Sequence, residues 1–276
     1  MALLVILICL GLQRYLDIRV SLADFDWFKP YYGFLEKNLS KTPIWVGFGG
    51  VAAVVLPAAL AVALVDLLFN DWFKGILGFL FSIAVLFYCL DARDYGKLLS
   101  NYLKKDDESK GAEDAEKFVG SKLSGNDTTA QVSEAVFTKS LHQIFSVLFW
   151  FCILGPFGAV LYFMVALVNQ SEATQSFQKQ SAQVLGVMDW IPVRLVGLTF
   201  ALVGSFSNVF MPWVKALSES IEKSNELAVR FGLASLGIDG KKPDLETVQG
   251  SIDLCFRAEV VWVVVIALLT VASYFG

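Results

Sequence analysis

Charged residues are scarce in this sequence, and their scarcity argues against an ordinary soluble domain. Of 276 residues, 17% are charged and 56% are hydrophobic, whereas a soluble domain carries about a quarter charged residues. The mean hydropathy is +0.60. The chain also lacks a basic stripe with interleaved aromatic residues, so no nucleic-acid partner is expected. The composition favours a membrane protein whose first partner is the lipid bilayer.

Residues that carry chemistry are few as well. The chain has one histidine, His142, and no Gly-x-Ser-x-Gly motif, so a hydrolase would depend on one residue at the start of an apolar segment. The four cysteines form no Cys-x-x-Cys pair, which argues against a disulfide framework or a zinc site. No Gly-rich phosphate loop occurs. We therefore expect no catalytic residue, no metal and no cofactor.

Long apolar runs dominate what is present. A bilayer core about 30 Å thick requires roughly 20 helical residues, and its backbone groups must be satisfied internally, in helices or in a closed barrel. No alternating pattern typical of barrel strands is visible. The sequence predicts an all-α, polytopic transmembrane helical bundle: a single membrane domain over residues 1–276, with about five to six membrane segments and amphipathic interfacial helices. The runs are Met1–Leu12, Thr42–Val65, Gly75–Leu90, Gln143–Val168, Leu195–Val214 and Val260–Gly276.

Basic residues alternate between successive connections. The connections carry 5, 1, 8, 1 and 6 Lys or Arg, and the tail after Val260 carries none. The positive-inside rule produces this alternation when six segments cross and both termini face outward. Residues 91–140 are then a charged cytoplasmic loop, and residues 207–257 a cytoplasmic amphipathic helical segment.

Three polar stretches differ in kind. Lys104–Thr129 is charged and poor in apolar residues, a composition that predicts mobility. Ser218–Leu236 predicts an amphipathic helix on the cytoplasmic surface or against the bundle. Phe25–Leu39 is rich in aromatic residues, which is typical of an interfacial helix.

Leu141–Val168 is too long for one simple crossing. Its 28 residues would extend about 42 Å as a straight helix, and Gly155-Pro156-Phe157-Gly158 interrupts it. One interpretation is a kinked, tilted span, which we favour. The other is two half-helices that enter and return to the same face, which would place a pocket there because non-helical backbone in a membrane needs cover.

The segment Asp189–Leu195 is the strongest candidate for a binding site. Asp189 and Arg194 flank Pro192 at the entrance to an apolar run, and charge at such a position is by default a functional candidate. The alternative is a helix start, with Asp189 as N-cap, Pro192 in the first turn and Arg194 reaching the head groups. As a site, the three residues would hold an anionic small ligand or lipid.

The same stretch carries a resemblance to a known family. Leu185–Ser205 (LGVMDWIPVRLVGLTFALVGS), Leu148–Tyr162 (LFWFCILGPFGAVLY) and Val260–Val271 (VVWVVVIALLTV) resemble the AmpE family of bacterial inner-membrane proteins. That family is related to the CobD/CbiB membrane synthases of cobalamin assembly, whose Ile-Pro-Ala-Arg motif is similar to Ile191–Arg194. The synthases carry several carboxylates before the Leu-Phe-Trp stretch. Here Glu134 is the one nearby acid.

The resemblance implies a multi-pass protein of the bacterial cell inner membrane. It implies a non-catalytic signalling or sensing role linked to β-lactamase induction and cell-wall status, because the synthase carboxylates are missing. A membrane or cytoplasmic protein partner is a further expectation. Two alternatives stay open: a structural accessory subunit of a larger membrane complex, and a residual CobD/CbiB-like synthase.

Overall fold

The computed structural model describes residues 2–16, 27–42, 45, 47–70, 75–91, 93–104, 108–123, 127–170, 175–220, 223–238 and 242–275. These ranges contain helices and no strand, which confirms the all-α prediction. In chain order the helices are α1 Ala2–Leu16, α2 Phe28–Leu39, α3 Phe48–Asn70, α4 Ile76–Cys89, α5 Tyr95–Leu98, α6 Ser100–Lys104, α7 Glu108–Val119, α8 Thr128–Ser140, a π-helical turn Leu141–Phe145, α9 Ser146–Gln170, α10 Gln175–Val203, α11 Phe206–Ala216, α12 Ser224–Ser235 and α13 Leu245–Phe275.

Six apolar segments have the character expected of membrane helices. Four described stretches are long and apolar enough to cross a bilayer, and two shorter apolar helices accompany them. The long stretches are Phe48–Phe69, Thr128–Gln170, Phe177–Val203 and Leu245–Ala272, and the short ones are Ala2–Arg14 and Ile76–Cys89. The fold is a polytopic helical bundle.

The chain divides into two compact units. The first comprises Met1–Asp91 and Ser146–Asp189. In it α3 packs on α9 and α4, and α1 packs on α4. The Gln13 amide donates to the Phe87 carbonyl at 2.9 Å and also to the Leu90 carbonyl, which satisfies backbone oxygens left open at the end of α4. Helix α2, predicted from its aromatic residues, packs on α3, with the Tyr31 hydroxyl donating to the Val54 carbonyl at 2.7 Å.

Helix α9 in the first unit doubles back on itself. Gly155 has φ 64° and ψ −150°, a conformation essentially confined to glycine. A Cβ on Gly158 would overlap the carbonyl oxygen of Trp150, eight residues earlier. Ser146 and Tyr162 bond the same oxygen of Asp189, although a straight helix would separate them by about 24 Å. The segment therefore folds back as two half-helices and is not one kinked helix. That both half-helices start and end at the same membrane face stays a prediction.

The second unit comprises Ala92–Phe145 and Trp190–Gly276. In it α8 packs against α12, α13 and α7, and α11 packs on α12. Close packing depends on two glycines, because a Cβ on Gly197 would meet the Phe231 ring and one on Gly232 would meet the Phe137 ring. An aromatic cluster fills the centre, formed by Phe137, Phe145, Phe200 and Trp262.

Two predictions about polar stretches have different outcomes. Lys104–Thr129, predicted to be mobile, contains helix α7, whose Phe118 is buried and packs on the Tyr95 ring with centroids 5.0 Å apart. The amphipathic helix predicted within Ser218–Leu236 is α12, and its Leu227 and Phe231 are buried. Helix α12 packs against α8 and α11, which confirms packing against the bundle, and its position on the cytoplasmic surface stays a prediction.

Candidate functional site

Asp189 is a carboxylate in the interior of the first unit. Its side chain is 1% exposed, and its Oδ1 accepts hydrogen bonds from the Ser146 hydroxyl at 2.6 Å and the Tyr162 hydroxyl at 2.8 Å. Both donors are fully buried and come from opposite arms of the α9 hairpin. A buried carboxylate is tolerated only when donors replace its lost water. Asp189 therefore joins the two arms of the hairpin to α10.

Pro192 lies inside α10 and not at its start. Proline has no backbone N–H, so the carbonyl of Met188, four residues earlier, loses its helical donor. The indole N–H of Trp150, near the tip of the α9 hairpin, donates to that carbonyl at 3.2 Å. Pro192 thus leaves the Met188 carbonyl without its helical hydrogen bond, and the Trp150 indole of the hairpin donates to it instead. The predicted helix start at Asp189 is wrong, because α10 begins fourteen residues earlier, at Gln175.

Arg194 is a cation held by carbonyl oxygens in the second unit. It is 5% exposed, and its guanidinium lies 4.0 Å from the centre of the Trp190 ring, a cation–π distance. Nη1 donates to the Trp190 carbonyl at 2.7 Å and Nη2 to the Ala216 carbonyl at 2.6 Å. Ala216 ends α11, so Arg194 supplies the positive charge that a helix C-terminus favours.

Arg194 is tied to α11 by a second contact. The Trp213 indole N–H of that helix donates to the Arg194 carbonyl at 2.8 Å. Within the described ranges, the buried Nε of Arg194 has no hydrogen-bond partner. The guanidinium therefore orients α11 while keeping one buried donor available.

Glu219 and Arg230 connect Arg194 by hydrogen bonds to a groove on the surface of the second unit. Nη2 of Arg194 also approaches the Glu219 carbonyl at 3.5 Å, and the Glu219 carboxylate accepts from Arg230 Nη2 at 2.8 Å. The hydrogen bond from Arg230 holds the pKa of Glu219 below its usual range. Both side chains are partly solvated, so the ion pair contributes little to stability. The ion pair does fix the orientation of the Arg230 guanidinium.

Arg230 lines an open groove of about 630 Å³ in the second unit. The groove lies between the end of α7, the middle of α8 and the first half of α12. Its carboxylates are Glu134 and Glu226, and beside it the His142 ring bonds the Asn225 amide oxygen at 2.6 Å. The other lining residues are Val119, Ser121, Gln131, Ala135, Thr138 and Val229. This set offers one cation and two anions to a polar ligand.

The structure thus divides the predicted site residues between two surroundings. Asp189 bonds the hairpin in the first unit, Pro192 opens an acceptor beside it, and Arg194 bonds α11 in the second unit. Sequence reasoning missed the groove residues Asn225, Glu226 and Arg230, which lie on an amphipathic helix without any motif. In the part of the chain that the structure describes, no three His, Cys, Asp or Glu side chains cluster in a way that could hold a metal.

Comparison with known proteins gives a family. A family model described as "Regulatory signalling modulator protein AmpE" matches residues 50–275. Protein AmpE of Shigella flexneri is 30% identical over 132 residues, covering 45% of this chain and 46% of that protein. Cobalamin biosynthesis protein CobD of Stutzerimonas stutzeri is 26% identical over 170 residues, covering 58% of this chain and 54% of that protein.

A second CobD, from Chromobacterium violaceum, is 30% identical over 88 residues, covering 29% of this chain and 27% of that protein. The matches therefore extend over about half or less of the length of these curated relatives. No solved structure matches the chain. Since the family model spans most of the sequence, this membrane protein belongs to the AmpE family.

Proposed function

We propose that this protein is a non-catalytic signalling protein of the bacterial cell inner membrane that acts on β-lactamase induction in response to cell-wall status. Its membership in a family of regulatory signalling modulators supports the proposal. The observation that carries it is Arg194, a buried cation whose described acceptors are carbonyl oxygens and not a carboxylate. Holding a charge in this way costs free energy, and beyond capping α11 the guanidinium keeps a buried Nε donor that has no hydrogen-bond partner within the described ranges.

The groove supplies a place for the signal. A small ligand with an anionic group binds Arg230 in competition with Glu219, and an amine on the same ligand binds Glu134 or Glu226. Release of Glu219 from Arg230 changes the backbone contact between Glu219 and Arg194. Arg194 holds the C-terminus of α11, so the ligand alters the position of that helix. A protein partner in the membrane or the cytoplasm binds differently to the two positions of α11.

The test is genetic. A strain that lacks this gene and carries an inducible chromosomal β-lactamase is complemented with wild type, Arg194→Ala or Lys215→Ala, and β-lactamase activity is measured after exposure to an inducing β-lactam. Arg194→Ala should abolish the effect of the protein on induction at an unchanged level in the membrane. Lys215, an exposed cation on α11, is the matched control and should behave as wild type. Unchanged induction with Arg194→Ala would contradict the proposal.

A second candidate function is synthase-like group transfer. The CobD relatives and the two carboxylates of the groove, Glu134 and Glu226, favour it, because carboxylates can bind the metal of a nucleotide or move a proton. Titration of the purified protein with a magnesium nucleotide separates the candidates. Tight binding that Glu134→Gln and Glu226→Gln abolish would support the synthase, and we expect no such binding.

A further inference from the structure

Helix α11 presents an uncovered apolar face. On one side Val209 and Ala216 are fully buried, and α12 covers that side. The other side exposes large apolar side chains, with Met211 the most exposed at 59%, and its one charged residue, Lys215, lies at the edge of this apolar set. The Phe206 and Phe210 rings stack with centroids 5.2 Å apart. The exposed set, one stripe at helical spacing, is Phe206, Phe210, Met211, Val214 and Leu217.

This face is too short to be part of a span. Eleven residues extend about 16 Å as a helix, roughly half of the hydrocarbon thickness. The polar residues Asn208 and Lys215 are exposed beside the stripe. An apolar stripe with a polar border, on a helix of this length, is typical of a helix lying in the plane of a membrane surface.

The level of α11 along α13 indicates that lipid covers the exposed stripe. On α13, Asp253 and Arg257 are exposed, whereas from Val260 onward the exposed residues are apolar and none is charged. The border between water and lipid on α13 therefore lies near Arg257. Arg257 Nη1 donates to the Val203 carbonyl at 3.0 Å, which puts the end of α10 at the same level. Helix α11 begins three residues later.

We propose that α11 lies in the bilayer surface at the leaflet where α10 ends, with its exposed stripe among the lipid acyl chains. The stripe continues the apolar surface of α13 at the level where that surface stops. Arg194 and Trp213 fix the opposite side of α11 to the protein, so the helix is presented to lipid in one orientation. The proposal does not depend on the proposed function.

Nitroxide accessibility tests the placement. The full chain carries Cys152→Ser, since Cys9, Cys89 and Cys255 are buried. Single cysteines at Phe210, Met211, Asn208 and Val264 are spin-labelled in lipid nanodiscs, and collision rates with oxygen and with a water-soluble nickel complex are measured. The ratio of oxygen to nickel collisions should be at least about threefold higher at Phe210→Cys and Met211→Cys than at Asn208→Cys, because oxygen concentrates in lipid.

The controls set the scale. Val264 lies on the exposed apolar face of α13 and gives the value for lipid, and Asn208 gives the value for water. High nickel accessibility at Phe210 and Met211 would overturn the proposal, because the stripe would then face water. Low accessibility to both reagents would also overturn it, because a second copy of the chain or another protein would then cover the stripe. Met211→Cys gives an independent reading should Phe210→Cys fail to fold.

Discussion

At the scale of single residues, Asp189 explains how a carboxylate persists among apolar helices. Two hydroxyl groups donate to one of its oxygens, and hydrogen bonds to a charged group are about twice as strong as neutral ones. Neither Ser146 nor Tyr162 has any exposed surface, so water cannot replace a lost donor without rearrangement. Each hydroxyl should therefore contribute measurably to stability.

We expect Ser146→Ala and Tyr162→Phe each to destabilise the protein by about 1–3 kcal/mol, because each leaves the carboxylate short of one donor. Thermal unfolding in mild detergent measures the loss. Ser82→Ala is the matched control: its hydroxyl bonds the Gly78 carbonyl within α4, so its removal should have little effect. In an Asp189→Asn background the effect of Tyr162→Phe should shrink, and equal effects in both backgrounds would show that the carboxylate is not responsible.

The sequence points to Asp189 and Arg194 because a charge next to an apolar run is conspicuous and costly. It does not point to Ser146, Tyr162 or Trp150, since hydroxyl and indole groups are unremarkable in a membrane segment. Their roles follow from the folding back of α9. For the same reason the interpretation of Asp189 as a helix N-cap is wrong: the polar residues before it continue α10, and local pattern alone gave no reason to extend the helix upstream.

At the scale of helices, the α9 hairpin depends on one backbone conformation. Gly155 combines φ 64° with ψ −150°, where a Cβ costs about 1–3 kcal/mol. Gly155→Ala should therefore destabilise the protein by about this amount even though no atom lies within 4 Å of the new methyl group. Thermal unfolding in detergent measures the change.

Gly11→Ala is its matched control. Gly11 lies inside α1 with equally open space around it, and replacing a helical glycine by alanine gains about 0.5–1 kcal/mol. Gly11 and Gly155 both have room for a methyl group, so the two substitutions differ in the backbone conformation that alanine must adopt. Equal stability of the two variants would contradict the account of the hairpin.

The N-terminus of α13 predicts a dependence on pH. The Asp244 carboxylate accepts from the Thr247 hydroxyl at 2.7 Å and the Thr247 amide at 2.8 Å, and these bonds hold its pKa below the ordinary 3.8. Because the pKa of Asp244 is lower in the folded state, its charged carboxylate stabilises the folded cap fully at pH values above 3.8. This stabilisation is lost as the pH falls through the lowered folded pKa and the carboxylate becomes protonated. Protection of the first-turn amides of α13 should fall over that range.

Hydrogen exchange, corrected for the intrinsic effect of pH, measures this protection. Asp244→Asn is the control, because asparagine caps a helix as well as aspartate does and has no charge to titrate. Its protection should not change over the same range. If wild type and Asp244→Asn gave parallel profiles, the carboxylate would not be the titrating group.

Helix identity was largely predictable, and helix limits were not. Long apolar runs predicted the membrane helices because lipid leaves the backbone no alternative to helix. Helix α7 was not predicted, because the high charge of its sequence suggested a mobile loop. The spacing of its apolar residues indicates a helix, since Ala115 and Phe118, three residues apart, share one buried face. Gly155-Pro156 marked the break in α9 in the sequence, but whether the chain bends or reverses there depends on tertiary contacts.

At the scale of the whole molecule, the reversal in α9 changes the expected topology. The sequence interpretation let Leu141–Val168 cross the membrane, which would place the connections before and after it on opposite sides. Because Ser146 and Tyr162 bond the same atom, the two arms lie side by side. The arm Pro156–Gln170 extends about 22 Å as a helix, which is less than the roughly 30 Å of a bilayer core, whereas the first arm continues the helical run from Thr128.

Cysteine labelling from either side of the membrane tests this topology. Lys104→Cys and Gln175→Cys are introduced separately into a chain with Cys152→Ser, and position 71, in a connection with one basic residue, serves as the control for the opposite side. A membrane-impermeant maleimide is applied to right-side-out and to inverted vesicles. Both Lys104→Cys and Gln175→Cys should react in inverted vesicles, where the cytoplasmic surface is outside, because a re-entrant hairpin returns the chain to the side of the charged 91–140 stretch. Labelling of the two positions from opposite sides would mean that the segment crosses and that the shared contacts of Asp189 do not exist in the membrane.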